Sequence, residues 1–180
     1  MKNIIGLLGA VLVVAMIGFV GLVDAQTTSP DSTTEKFGDW FVRCQSSGAE
    51  GEVRKICEMT QELNDTKSGR RVLAIGITAQ PDESGTASGG LATIVAPLGL
   101  NLSGGLTLEG PEGLSISMPF DTCLPAGCII RHMLSIDELK SISAGDSLTV
   151  TMLSQDSKNL QVRLSTNGFS NAWERLLSLK

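Results

Sequence analysis

Residues 40–63 read WFVRCQSSGAEGEVRKICEMTQEL, two runs of alternating apolar and polar residues on either side of a loop. A period of two is typical of β-strands that bury one face, so the two runs predict an antiparallel hairpin. If Cys44 lies opposite Cys57, then Val42 faces Met59 and a disulfide bond closes the hairpin. Such a bridge would stabilise the fold by about 3 kcal/mol, because it restricts the unfolded chain.

The two faces of this hairpin differ in chemistry. One face is largely apolar and is predicted to face the core; it carries Trp40, Val42, Cys44, Cys57, Met59 and Leu63. The other face is polar, and on it Arg43 lies opposite Glu58 as an attractive cross-strand pair. We therefore expect Trp40 to be buried on the same face as the disulfide, with Arg43 and Glu58 on the wetter face.

The same period continues through most of the chain. Strands are predicted at residues 40–44, 55–63, 72–77, 91–95, 106–109, 114–118, 128–134, 148–152 and 160–164. About nine short strands separated by Gly, Pro, Asp and Ser predict an all-β fold, an antiparallel β sandwich or barrel. Residues 72–77 are apolar on both sides, which is typical of a central strand covered on two faces.

Two short helices and several turns are predicted between these strands. Ser135 and Glu138 match a capping box, in which each side chain satisfies the backbone N–H of the other, so a helix begins there. Residues 171–177 repeat that kind of start and carry apolar side chains along one stripe. The pair Gly89-Gly90 predicts a turn between strands.

Cys123 and Cys128 form a second close pair, separated by a loop that contains Pro and Gly. A disulfide between them would close a tight reversal and contribute about 2 kcal/mol. The alternative for all four cysteines is a zinc site, but the short C-x₂-C spacing is missing and an oxidising compartment favours disulfides. Catalytic thiol exchange would normally use C-x-x-C.

The first 25 residues have the pattern of a secretory signal, since Lys2 precedes an uncharged apolar run and small residues precede a cleavage position after Ala25. The alternative is an uncleaved anchor, because about 20 apolar residues can span a bilayer. Residues 26–36 are polar and rich in Ser and Thr, which predicts a disordered leader. Residues 37–180 are predicted to form one β domain, periplasmic or secreted, with no stable membrane span after cleavage.

Charge and composition exclude several classes of protein. The net charge is −5 and the basic residues are scattered, which argues against nucleic-acid binding. The single histidine, His132, is predicted at a strand surface or rim, and Asp121 is expected to accept hydrogen bonds in a turn. No pattern brings together a nucleophile, a base and oxyanion donors, so we predict no enzyme activity, no catalytic or metal-binding residues and no cofactor.

Five short motifs in a fixed order carry a family resemblance: Phe37-Gly38-Asp39-Trp40-x₃-Cys44, Cys57-x₃-Gln61-Glu62, Pro97-Leu98-Gly99, Cys123-x₃-Gly127-Cys128 and Gly168-Phe169. In these the chain resembles the invasion-associated locus B family of exported alphaproteobacterial proteins, from residue 37 to about residue 177. The resemblance implies a location and a process, entry into host cells or an envelope function. It brings no catalytic residues with it.

Two hypotheses of function follow. The first is a non-catalytic envelope or secreted protein that binds a protein, an envelope component or a host surface. The second is a small periplasmic hydrolase that acts on cell-wall or sugar substrates through carboxylates. A hydrolase should show two acids converging in a concave pocket, within about 10 Å of each other. A binding module should show an exposed apolar patch or a free sheet edge.

Overall fold

The computed structural model describes residues 32–47 and 54–179. The strands are β1 (Ser32–Phe37), β2 (Trp40–Ser47), β3 (Arg54–Asn64), β4 (Arg71–Pro81), β5 (Ala87–Ala96), β6 (Leu106–Glu109), β7 (Ser115–Met118), β8 (Thr122–Leu124), β9 (Gly127–Ser135), β10 (Ser147–Leu153) and β11 (Asn159–Ser165). Two α-helices, α1 (Ile136–Ser143) and α2 (Phe169–Ser178), complete the fold with 3₁₀ turns at Leu102–Gly104 and Pro111–Gly113. No helix among the described residues is long and apolar enough to cross a membrane.

The strands form two antiparallel sheets that enclose one core. The larger sheet has the order β1-β2-β3-β4-β5-β9-β8, and the smaller has the order β11-β10-β6-β7. Buried residues of both sheets and of both helices form one apolar cluster, which extends from Trp40 to Leu176. The predicted all-β sandwich with two short helices is confirmed. Every residue of this core lies after residue 26, the first residue that would follow signal cleavage.

The hairpin of β2 and β3 has the predicted register. Cys44 pairs with Cys57, Val42 with Met59 and Arg43 with Glu58. We call the face of the seven-stranded sheet that carries Trp40 its inner face and the face that carries Arg43 its outer face. Trp40 is completely buried, because alternation along β2 directs it into the space between the sheets.

Two strands are present that the sequence pattern does not predict. Strand β8 has only three residues, too few to show a period, and it pairs with β9 inside the loop between Cys123 and Cys128. Strand β1 lies in the stretch 26–36, so the prediction of a disordered leader is wrong for residues 32–36. Residues 26–31 and the predicted signal, residues 1–25, lie outside the described residues.

Tertiary contacts explain why β1 is ordered despite its polar composition. It pairs with β2 along its whole length, from Ser32 opposite Gln45 to Phe37 opposite Trp40. Its inward-facing Glu35 accepts hydrogen bonds from the Arg175 guanidinium of α2, at 2.6–3.1 Å. Backbone pairing and this ion pair therefore compensate for a composition that would not order the segment alone.

The interpretation of residues 72–77 as a strand covered on two faces is also wrong. Leu73, Ile75 and Ile77 are buried on the inner face, but Val72, Ala74 and Gly76 are only half-buried. Both helices pack on the inner side, where their buried residues join the core. Among the described residues no layer therefore covers the outer face of β4.

The pair Gly89-Gly90 lies within β5 and not in a turn. A Cβ atom on Gly89 would collide with the carbonyl oxygen of Leu134 on β9. A Cβ on Gly90 would lie 3.4 Å from the Trp173 ring and closer still to Ile77. The two glycines therefore allow the close approach of a neighbouring strand and of α2, a use of glycine that sequence does not distinguish from a turn.

The helices begin close to their predicted positions. In α1 the Ser135 hydroxyl accepts a hydrogen bond from the Glu138 N–H at 3.2 Å, while the Glu138 carboxylate accepts one from the Ser135 N–H at 2.8 Å. The capping box is thus confirmed. Helix α2 begins at Phe169, two residues before the predicted start.

Candidate interaction surface

A hydrogen-bonded cluster joins the two sheets, and we call its four residues, Asp39, Trp40, Gln61 and Ser165, the inter-sheet clasp. Trp40 and Gln61 are buried, Ser165 is half-buried and Asp39 is exposed. The Ser165 carbonyl accepts hydrogen bonds from the Trp40 indole at 2.9 Å and from the Gln61 amide at 3.2 Å. The Gln61 amide also donates to the Asp39 carbonyl, and its oxygen accepts from the Ser165 N–H at 3.1 Å. The Ser165 hydroxyl donates to the Asp39 carboxylate at 2.6 Å. The end of β11 is thereby fixed to the start of β2.

Two glycines allow the backbones beside the clasp to cross. Gly168 has φ +84°, and a Cβ there would collide with the Phe37 carbonyl oxygen. Gly38 has φ +56°, and a Cβ there would lie 2.5 Å from the Asn167 carbonyl oxygen. The next residue, Phe169, packs edge-on against Trp40 with ring centroids 5.1 Å apart. Residues of three of the five motifs therefore meet at one structural junction, and their roles there are packing and hydrogen bonding.

The remaining two motifs meet toward the opposite edge of the seven-stranded sheet, where β5, β9 and β8 lie. Gly127 has φ +141°, and a Cβ there would collide with the carbonyl oxygen of Ala96, just before Pro97. The guanidinium of Arg71 donates to the Ala126 carbonyl at 2.7 Å. The described residues contain the disulfides Cys44–Cys57 and Cys123–Cys128, the two pairs that the sequence predicts. All four cysteines are thus in covalent bonds and not available as zinc ligands.

The two residues that an enzyme hypothesis would choose first lie apart. His132 is half-buried and faces the inner side of the large sheet, as do Ile130 and Leu134. Asp121 accepts a hydrogen bond at 2.9 Å from Arg131, whose side chain alternates to the outer side. The predicted turn hydrogen bonds of Asp121 are thus replaced by an ion pair with a neighbouring strand. Among the described residues no three His, Cys, Asp or Glu side chains converge as a metal site would require.

Two carboxyl groups have altered acidity for structural reasons. The hydrogen bond from Arg175 lowers the pKa of Glu35, and the same contact raises the pKa of Arg175. The hydroxyl and backbone N–H of Ser68 lower the pKa of Asp65 in the β3–β4 turn. Both carboxyl groups are held in the charged form, so neither is a general acid near neutral pH.

The outer face of the large sheet contains a shallow depression of about 260 Å³, which we call the outer-face groove. Its lining includes Phe41, Arg43, Glu58, Gly76 and Thr93. The Glu58 carboxylate lies over Gly76, where a Cβ atom would be only 2.9 Å from it. The Arg43 guanidinium lies 5.7 Å above the Phe41 ring centroid, although Arg43 and Glu58 are cross-strand partners.

Apolar and charged groups alternate around this groove. Lys36 also lies over the Phe41 ring, at 5.6 Å. Ile56 and Met133 project from the same face and are 58% and 52% exposed. Glu58 and Glu62 both line the groove, but four residues along an extended strand separate them by about 13 Å, beyond the spacing of a glycosidase pair. The arrangement is therefore a partly apolar surface with charges of both signs.

A larger depression of about 330 Å³ lies beside Cys57, between β3, β4 and the end of α2. Alternation in the sequence predicts the polar outer face of the hairpin but not the groove. An isolated glycine inside a strand, here Gly76, is the signal that could have indicated it, since such a glycine often marks a close approach by another chain or ligand.

Comparison with known proteins agrees with this geometry. A family model described as "Invasion associated locus B (IalB) protein" matches residues 40–177. Invasion protein B of Bartonella bacilliformis is 32% identical over the whole length of both chains. An invasion protein B homolog of Brucella abortus is 28% identical over 148 residues, 81% of this chain and 79% of the relative. The crystal structure of invasion associated protein B from Bartonella henselae has a TM-score of 0.67 at 27% identity, covering 82% of this chain and 96% of that chain.

Proposed function

The chain belongs to the invasion associated locus B family, and from this premise we propose that it is an exported, non-catalytic protein of the bacterial envelope or its surroundings. Two disulfides are in keeping with an oxidising compartment outside the cytoplasm. The signal pattern of residues 1–25 supports export, with cleavage after Ala25. The proposed compartment is the periplasm or the medium.

The protein acts by binding a protein partner through the outer-face groove. The observation that carries this proposal is that the outer face of β4 is half-buried and partly apolar, yet no described element covers it. The Phe41 ring lies beside the cations of Lys36 and Arg43. Together with Glu58 on the next strand, this ring offers a protein partner both aromatic and charged contacts. Gly76 leaves room for the Glu58 carboxylate to lie over the sheet, within reach of a partner.

The process served is host-cell invasion or an envelope function. Its support is the printed names of the relatives, which are invasion proteins of Bartonella and Brucella. The binding mode does not depend on which of the two processes is the correct one.

The test is Gly76→Val, which fills the groove while leaving the inner face unchanged. Gly76 has no left-handed backbone and the nearest atom is the flexible end of Glu58, so the variant should fold. Ser117→Val is the matched control, since it adds a valine at an exposed position of β7 in the other sheet. In a deletion strain, Ser117→Val should restore the lost phenotype and Gly76→Val should not.

Crosslinking with envelope proteins gives the molecular readout for the same pair. A specific crosslinked product should form with the parent chain and the Ser117→Val variant, and disappear with Gly76→Val. If Gly76→Val is exported, folded and fully functional, the outer-face groove is not the binding site. If instead His132→Ala or Asp121→Asn abolishes function in a folded, exported protein, the non-catalytic proposal is wrong.

A further inference from the structure

Three exposed leucines lie at one end of the sandwich, two in the β5–β6 connection and one at the end of β8. Leu98, Leu124 and Leu102 are 57%, 50% and 46% exposed. Leu98 follows the end of β5, where Ala96 pairs with Cys128, and Leu124 pairs with Gly127 one strand further along. We call these three residues the leucine tip. None of them contributes to the core, so their apolar side chains are unexplained by folding.

Basic residues lie at the same end. Lys67 and Arg70 lie in the β3–β4 turn and Arg71 is the first residue of β4. The hydrogen bond from Arg71 to the Ala126 carbonyl places its guanidinium beside the β8–β9 turn that follows Leu124. The turn is fixed by Asp65, whose carboxylate accepts hydrogen bonds from the Ser68 N–H and hydroxyl at 2.8 and 2.7 Å. None of the three cations forms an ion pair with a described residue.

This basic turn is unusual in a chain whose net charge is −5. Exposed apolar side chains on separate loops, next to unpaired cations, have the chemistry of a surface that enters the interface of an anionic bilayer. The leucines would lie among the upper acyl chains, while Lys67 and Arg70 remain at the level of the lipid phosphates.

We propose that the leucine tip and the β3–β4 turn dock the protein onto an anionic lipid surface. The occupant is a lipid bilayer, since the leucines stand on two separate connections. Leu98 and Leu102 lie between β5 and β6, and Leu124 ends β8 just before Pro125. Each connection can enter a fluid lipid interface independently. A protein partner would instead need a groove already shaped to fit all three side chains. This contact lies apart from the outer-face groove and does not depend on it.

Vesicle co-sedimentation tests the proposal, using the chain from residue 26, which retains the whole core. Vesicles containing phosphatidylglycerol should bind the parent chain, and vesicles of phosphatidylcholine alone should not. Each basic residue near an anionic surface strengthens binding about fivefold, so Lys67→Glu with Arg70→Glu should weaken it by at least about twentyfold. Lys36→Glu with Lys55→Glu is the charge-matched control and should bind within about twofold of the parent chain by the same reasoning.

A second pair of double variants tests the contribution of apolar insertion separately from that of charge. Leu98→Ser with Leu124→Ser should abolish sedimentation with anionic vesicles, while Ile56→Ser with Met133→Ser, equally exposed but on the outer face, should leave it unchanged. Absence of parent-chain binding to anionic vesicles, or equal loss in the tip and outer-face variants, would overturn the proposal. Gly76→Val should retain lipid binding, so failure of the proposed function and failure of this inference are distinguishable.

Discussion

The two faces of the seven-stranded sheet use the same strands for different purposes. The inner face carries Trp40, Cys44 and Met59, each 2% exposed or less, and its contacts account for the fold. The outer face carries Phe41, Arg43 and Glu58 in alternate positions of the same strands, and nothing described covers them. Residues that hold the sandwich together are thus one position away from residues whose side chains lie outside its core.

The family motifs contribute mainly to the inner face and its packing. Trp40, Gln61 and Phe169 face inward, and Gly38 and Gly168 let the backbones beside them cross. These residue types are required by packing, so a match in them indicates a shared fold. The proposed binding surfaces lie on the outer face and at the loops, where the motifs contribute few side chains.

Replacement of adjacent aromatic residues should show the largest difference between the two faces. Trp40→Ala should lower the free energy of unfolding by about 3–5 kcal/mol, because it removes a fully buried ring. It also leaves the Ser165 carbonyl without the indole donor. Phe41→Ala should cost under about 2 kcal/mol, since that ring remains half-exposed. Urea titration followed by circular dichroism measures both, and equal losses would contradict the assignment of the faces.

Removal of a disulfide should have the next largest effect on the free energy of unfolding. Cys44→Ala with Cys57→Ala opens a 13-residue separation and should cost about 3 kcal/mol, whereas Cys123→Ala with Cys128→Ala opens a 5-residue separation and should cost about 2 kcal/mol. Peptide mapping without reductant should recover the two links in the parent chain. Recovery of a link between Cys44 and Cys123 would show that the pairing is wrong.

Gln61 and its neighbour Glu62 allow the inner and outer faces to be compared at polar residues. Gln61 is 3% exposed and all its hydrogen bonds are to the inter-sheet clasp, so Gln61→Leu should cost about 2 kcal/mol by leaving Asp39 and Ser165 groups unpaired. Glu62→Leu on the outer face should change stability by less than about 0.5 kcal/mol. Thermal unfolding of the two variants measures the difference. A Gln61→Leu variant as stable as Glu62→Leu would mean that the clasp does not hold the sheets.

Alternation in the sequence was sufficient to predict the inner face. The hairpin register follows from Cys44, Cys57 and the charge pattern around them, because a slip of one residue would exchange the faces. Strand β1 could not be predicted, since its order comes from pairing with β2 and from a distant arginine in α2. The outer-face groove was missed for a related reason. Residues 72–77 have the composition of a strand covered on both sides, and composition alone does not reveal that one layer is absent from the described fold.

The ion pair between Glu35 and Arg175 should give the smallest effect, and one that depends on pH. Arg175 lowers the pKa of Glu35, so the folded state binds the proton less readily than the unfolded state does. The pair therefore stabilises the fold at neutral pH, and this contribution is lost as the pH falls through the lowered pKa of Glu35. Glu35→Gln should be less stable than the parent chain at pH 7, and the difference should close at low pH. The side chains are about 40% exposed, so added salt should also narrow it. The comparison is made by urea midpoints for the two proteins across the acidic range. A difference that grows on acidification would mean that Glu35 is held by contacts other than the charge of Arg175, and that β1 is attached to the inner face mainly through its backbone pairing with β2.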